Sequence, residues 1–136
     1  MGVSFSTYLW IAAGGALGSV ARFWMSIAVA AVTGPRFPWG TIAINVIGSF
    51  VIGLVAFMAE PWGRVPLSFD LRAFILVGVC GGFTTFSSFS LQTLELARTG
   101  HWLGAGLNIV LSLVLCLIAV WAGYALGLVV GARPPH

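Results

Sequence analysis

The sequence predicts an all-α integral membrane protein of four transmembrane helices, the third of them broken at mid-membrane. Three observations carry that expectation. Hydrophobic residues make up 60% of the chain and charged residues only 7%, whereas a soluble domain carries about 25% charged residues. Crossing a hydrocarbon core of ~30 Å takes about 20 apolar residues, and four such stretches use nearly all of the 136 available. Within the third stretch, residues 77–90 hold a glycine pair, five hydroxyl side chains and three phenylalanines where lipid would accept leucines. Glycine loosens a helix, and hydroxyls offer donors where water is scarce.

Span one is expected over about residues 5–32. It is too long for a signal peptide, has no basic run before it and contains Arg22, so it reads as a retained span. Gly14, Gly18 and Arg22 recur every four residues and share a face that allows close helix approach and then presents a permanent charge. Arg22 either snorkels to the headgroups or faces a water-filled vestibule.

A loop rich in breakers follows, with Trp39 placed as an interfacial anchor. Span two is expected over about 41–59, with Thr41 a candidate cap and Asn45 one turn further on the same face. An amide in hydrocarbon needs its hydrogen bonds met, so Asn45 either ties two helices together or donates into a pore. The second loop contributes Trp62 as another anchor, and Ser68 or Asp70 can start span three, expected over 71–96.

Gly78, Gly81 and Gly82 weaken the first half of span three, and the hydroxyls from Thr84 to Ser90 compete for backbone acceptors. A break here would expose carbonyls and amides able to bind ions; close helix packing would also account for the glycines. Phe83, Phe86 and Phe89 recur every three residues between hydroxyls. They serve either as packing or as ring edges offered to an anion beside the donors Thr85, Ser87 and Ser88. Span four, about 102–130, carries a polar stripe at Asn108, Ser112 and Cys116, which either glues helices or lines a path.

The charge pattern and the chemistry narrow the function. Neither cysteine has a C-x-x-C partner, and His101 and His136 stand apart from other ligands. No Ser-His-acid set, H-E-x-x-H or phosphate-binding glycine loop occurs, so an enzyme is not expected. Six arginines against three acids, thinly spread, form no nucleic-acid footprint. Arg64, Arg72 and Arg133 fall on one side of the membrane and Arg36 and Arg98 on the other, with Arg22 near the latter. That leaves almost no positive-inside bias. The chain can therefore insert both ways, and since four spans enclose a pore poorly, an antiparallel dual-topology homodimer is the economical assembly. Cation or proton-coupled transport would want a mid-membrane carboxylate, but Glu60, Asp70 and Glu95 all sit near span ends. A small multidrug-type exporter, the competing transport class, would place that carboxylate in span one; a packing protein would use Ser87 and Asn45 only as ties. The donors Arg22, Thr41, Asn45, Thr85, Ser87, Ser88, Asn108 and Ser112 suit a small, hard anion.

The segment from Gly14 through Gly18 to Arg22, the run GTIAINVIG at 40–48, and above all GGFTTFSSFS at 81–90 resemble the CrcB/Fluc family of bacterial fluoride channels, in order and spacing along nearly the whole chain. The resemblance implies a single transmembrane channel domain over residues 1–136, multi-pass in the cell inner membrane and in contact with the lipid bilayer. It implies a dual-topology homodimer with two pathways that passively release cytoplasmic fluoride, and no nucleic-acid partner. By motif position, the pathway would use Phe86, Phe89, Asn45 and Ser112, with Arg22 near the vestibule. A structural sodium ion at the dimer centre would be held by the backbone carbonyls of Gly81 and Thr84. This chain departs from the pattern in three places: Asn108 where a tyrosine is usual, Cys116 where a small or hydroxylated residue is usual, and Gln92 where a glutamate often stands.

Overall fold

The computed structural model describes residues 3–60 and 67–131. The expected anchor Trp62, the charges Arg64 and Arg133, and His136 lie outside the described residues. The rest forms helix α1 (Phe5–Thr33), α2 (Trp39–Met58), α3 (69–83), α4 (Phe86–Arg98) and α5 (Trp102–Gly131), with no strand among the described residues. Among the described residues four stretches are long and apolar enough to cross a membrane, α3 and α4 together making the third.

Local chemistry sets most of the ends. The Ser4 side chain accepts from the Thr7 amide and caps α1, while Gly34 at φ 78° closes it by donating its amide hydrogen to the Ala30 carbonyl. α2 begins at Trp39, after Pro38. Thr41 is therefore not the cap proposed for it but a buried residue of the first turn, and Trp39 is a helical residue whose ring packs on Phe37, centroids 4.8 Å apart. Ser68 caps α3, accepting from the Leu71 amide at 3.2 Å. Asp70 instead accepts from the buried Thr7 hydroxyl and ties the start of α3 to the start of α1.

α3 is unusual in its winding. Residues Ala73–Cys80 form a π-helical stretch, which the sequence pattern does not announce. Past Phe83 the helix stops: Thr84 and Thr85 are extended, and α4 starts afresh at Phe86. The break expected at mid-membrane is thus two residues long.

Small residues decide how the helices pair. A Cβ on Gly14 would stand 2.5 Å from the Phe74 carbonyl oxygen and 3.0 Å from the Gly78 Cα; one on Gly82 would stand 2.5 Å from the Gly15 carbonyl oxygen. A Cβ on Gly18 would strike the Val79 carbonyl oxygen. So α1 and α3 run backbone against backbone through Gly14, Gly18, Gly78 and Gly82, whereas a Cβ on Gly81 would meet only the Leu76 carbonyl oxygen, at 4.0 Å. α2 pairs with α5 in the same way, through Gly53 against the Val120 carbonyl and Gly123 against the Phe50 carbonyl.

Candidate functional site

The break in span three organises the site. In an unbroken helix the Gly81 carbonyl would accept from the Thr85 amide and the Thr84 carbonyl from the Ser88 amide. Both donors are diverted. The Thr85 amide bonds the Asn45 Oδ1 at 2.8 Å, and the Ser88 amide bonds the Thr85 Oγ1 at 3.2 Å, capping α4. Asn45 also donates from Nδ2 to the Thr85 carbonyl at 3.1 Å. One side chain of α2 thus satisfies both backbone groups of Thr85 and holds the chain extended, so the helix-tie role of Asn45 is realised in this chain. Its amide carries two N–H bonds, and the second is left for the cavity it lines.

Gly48 makes room for the break, since a Cβ there would strike the Thr84 Cγ2. Thr84 closes α3 by directing both its amide (2.9 Å) and its hydroxyl (2.8 Å) to the Cys80 carbonyl. The two helix ends that meet here have opposite polarity. α3 ends in carbonyls with the negative end of its dipole, and α4 begins with amides and the positive end.

Two cavities open on either side of the break. The first, about 330 Å³, is lined by Asn45, Ser49, Phe86, Phe89, Ser112 and Cys116 among others. The Phe86 and Phe89 rings lie 5.2 Å apart, tilted by 47°. Phe86 is 74% exposed, a large ring uncovered at membrane depth. The second cavity, about 440 Å³, gathers Arg22, Thr41, Ser87, Ser88 and Gln92 with Ser19 and Ser26. Arg22 is half-buried there, on the same face as Gly14 and Gly18. Thr85 lines both cavities and is buried. Its hydroxyl donates to the Ser88 Oγ at 3.0 Å, which leaves the Ser88 proton to give.

Asn108 does not line the first cavity. It is fully buried, donates from Nδ2 to the Thr93 Oγ1 at 2.8 Å, and accepts at Oδ1 from the Ser112 hydroxyl at 3.4 Å. Phe83 sits at the end of α3, across the break from the other two rings. The structure thus brings together Asn45, Thr85, Phe86, Phe89 and Ser112 on one side and Arg22, Thr41, Thr85 and Ser87 on the other, with Gly81 and Thr84 at the break between them.

Residue reasoning missed several contributors. Ser19 and Ser26 stand three before and four after Arg22, so helical spacing alone could have flagged them. Thr93, seven residues after Phe86, carries no motif signal. Gly48 carries no signal beyond its place in the run at 40–48. Among the described residues, no group of three or more His, Cys, Asp or Glu could hold a metal ion; carbonyls are the remaining candidates.

Comparison with known proteins agrees with this architecture. The profile of the family described as CrcB-like protein, Camphor Resistance (CrcB), matches residues 9–124. The chain is 58% identical over 118 residues to a fluoride-specific ion channel FluC of Rhodospirillum rubrum, covering 87% of this chain and 92% of that one. It is 59% identical over 119 residues to the FluC of Opitutus terrae, covering 88% and 90%. It is 53% identical over 118 residues to that of Paramagnetospirillum magneticum, covering 87% and 92%. With four apolar helices, it is a multi-pass inner-membrane protein. A profile match over most of its length, together with relatives of this identity and coverage, makes the chain a member of the CrcB family.

Proposed function

We propose that the protein is a fluoride-selective channel that passively lets fluoride leave the cytoplasm, lowering its concentration there. The observation that carries this reading is the break after Phe83, whose amide end opens between two cavities furnished with donors. The relatives named above are channels, and this chain is no enzyme.

A small anion with a tightly held hydration shell crosses a dry layer only where hydrogen-bond donors replace its water. Arg22, with Thr41 and Ser88 around the same cavity, supplies positive charge and donors at the entrance, while Ser87 gives its proton to the Thr85 Oγ1. Deeper in, the free N–H of Asn45 and the α4 dipole act together with the Phe86 and Phe89 ring edges, which are positive, and Ser112 lines the same cavity. Asn45 and Thr85 are locked to each other, so the donors are fixed before the ion arrives. A larger, less demanding anion gains less from such a small set.

The assembly belongs to the same proposal. A lone chain leaves its first cavity open and Phe86 uncovered. The charge pattern lets the chain insert in both orientations, and a second, inverted copy would complete two pathways. A sodium ion at the centre of that dimer fits the residues present. The carbonyls of Gly81 and Thr84 are the two whose helical donors go instead to Asn45 and Thr85, and both lie at the negative end of α3 or just beyond it. When bound, such an ion would satisfy these acceptors and add positive potential near the anion path.

The test is fluoride efflux from proteoliposomes, followed with a fluoride electrode and repeated with chloride. Rapid, voltage-driven release of fluoride without chloride is expected, slowed in Phe86→Ile and Asn45→Asp. An intact dimer that moves no fluoride would overturn the reading.

A further inference from the structure

The polar stripe of α5 contains an arrangement that the conduction path alone does not explain. Three side chains and one backbone group form a chain of hydrogen bonds from the first cavity into the packed interior. The Ser112 hydroxyl reaches the Asn108 Oδ1, the Asn108 Nδ2 reaches the Thr93 Oγ1, and the Thr93 hydroxyl reaches the Phe89 carbonyl at 2.7 Å. Ser112 lines the cavity; Asn108 is fully buried behind it.

The direction of every proton in this chain follows from its last member. A carbonyl only accepts, so the single Thr93 proton goes to Phe89 and its oxygen is left to accept. Asn108 must then turn its Nδ2 toward Thr93, which aims its Oδ1 at Ser112. An amide oxygen only accepts, so Ser112 gives its one proton to Asn108. The consequence falls on the cavity. Ser112 there presents lone pairs rather than a donor, and lone pairs repel an anion. The Ser112 bond is also the longest of the three, and therefore the weakest.

We infer that Asn108 is a positioning residue that sets the proton direction of Ser112 and so tunes how tightly the cavity holds fluoride. This rests on the channel reading above. Fluoride at Ser112 competes with Asn108 for one proton. It wins that proton either by breaking the long bond or by turning the Asn108 amide over, and the second route breaks the bond to Thr93. Fluoride is thereby held less tightly than by a free hydroxyl, which favours release over binding in a path that must also let its ion go.

Two substitutions test the direction rather than the mere presence of these groups. Thr93→Val removes the acceptor that fixes the amide and keeps the shape. Asn108→Leu removes the acceptor that claims the Ser112 proton. Each is expected to lower the fluoride concentration for half-maximal current in planar bilayers by about 2- to 10-fold, the range of one net hydrogen bond. Thr93→Ser keeps the oxygen and is expected to restore the wild-type value. In a Ser112→Ala background both effects should vanish. Selective ¹⁵N labelling of asparagine adds a readout independent of current: the Asn108 side-chain amide protons should lose their hydrogen-bonded shift in Thr93→Val.

A merely structural role predicts weaker fluoride binding or lost current in the variants, unchanged by Ser112→Ala, and that result would overturn the inference. If Asn108→Leu fails to fold, Thr93→Val and its double variant still decide the matter. Fluoride current in the wild type with no shift in Thr93→Val would sink the inference and leave the channel standing. No fluoride current in the wild type would overturn both.

Discussion

At the scale of single residues, Asn45 does what a longer stretch of backbone does elsewhere: it closes both hydrogen bonds of Thr85 where the helix stops. A carboxylate keeps the acceptor but sets an oxygen against the Thr85 carbonyl. Asn45→Asp should therefore lower stability by about 1–3 kcal/mol, the cost of an unsatisfied buried group, and slow fluoride efflux as well. Thermal unfolding in detergent beside a flux assay separates the two effects. Thr7 makes a different kind of contact, far from both cavities, to the Asp70 carboxylate. Thr7→Val should cost about 2 kcal/mol, typical of a hydrogen bond to a charged group, while fluoride selectivity stays as it was. A changed fluoride-to-chloride ratio in that variant would show that the tie at the helix ends reaches the path.

At the scale of elements, the two helix pairs are set by glycines that meet carbonyls rather than side chains. A Cβ on Gly123 would clash with the Phe50 carbonyl oxygen and stand 3.0 Å from the Leu54 amide nitrogen, whereas one on Gly106 would meet nothing within 4 Å. Gly123→Ala is therefore expected to push α5 from α2 and cost about 1–3 kcal/mol; Gly106→Ala should be neutral or slightly stabilising through helix propensity. Equal melting temperatures for the two variants would mean that the helices of a pair slide apart without cost. The break between α3 and α4 belongs to this scale too, because it has no single cause. Thr84 caps one side, Thr85 caps the other, Asn45 bridges, and Gly48 leaves the space.

At the scale of the molecule, the proposed dimer and its sodium ion make joint demands. A ligand that binds only the assembled state stabilises it by RT ln(1 + [L]/Kd), about 2.7 kcal/mol at a hundred times Kd. Replacing sodium with a large organic cation should lower the thermal stability of the dimer and shift it toward monomer in light scattering. Unchanged behaviour in both measurements would remove the ion from the proposal. Dual insertion is read with reporter fusions at the C-terminus, which should be active on both faces of the membrane. Two arginines added to the first loop should bias the population to one orientation.

The sequence by itself determined the class of this protein. Composition and the lengths of its apolar runs set four spans, because a bilayer admits helices of that length and little else. The run at 81–90 announced a break, since glycines and hydroxyls at membrane depth have no use in a plain span. Gly14, Gly18 and Arg22 told their face correctly, as helical periodicity is local. What the tertiary structure decided is which groups meet. Asn45 and Thr85 lie forty positions apart, and nothing in either stretch says that one closes the bonds of the other. Thr93 of α4 and Asn108 of α5 meet across fifteen positions, and the π-helical winding of Ala73–Cys80 left no mark in the residue pattern. Periodicity fixes the face a residue occupies on its own helix; its partner depends on the rotation and depth of the neighbouring helix. Here those are set by glycine contacts between backbones, whose geometry exists only once both helices are packed.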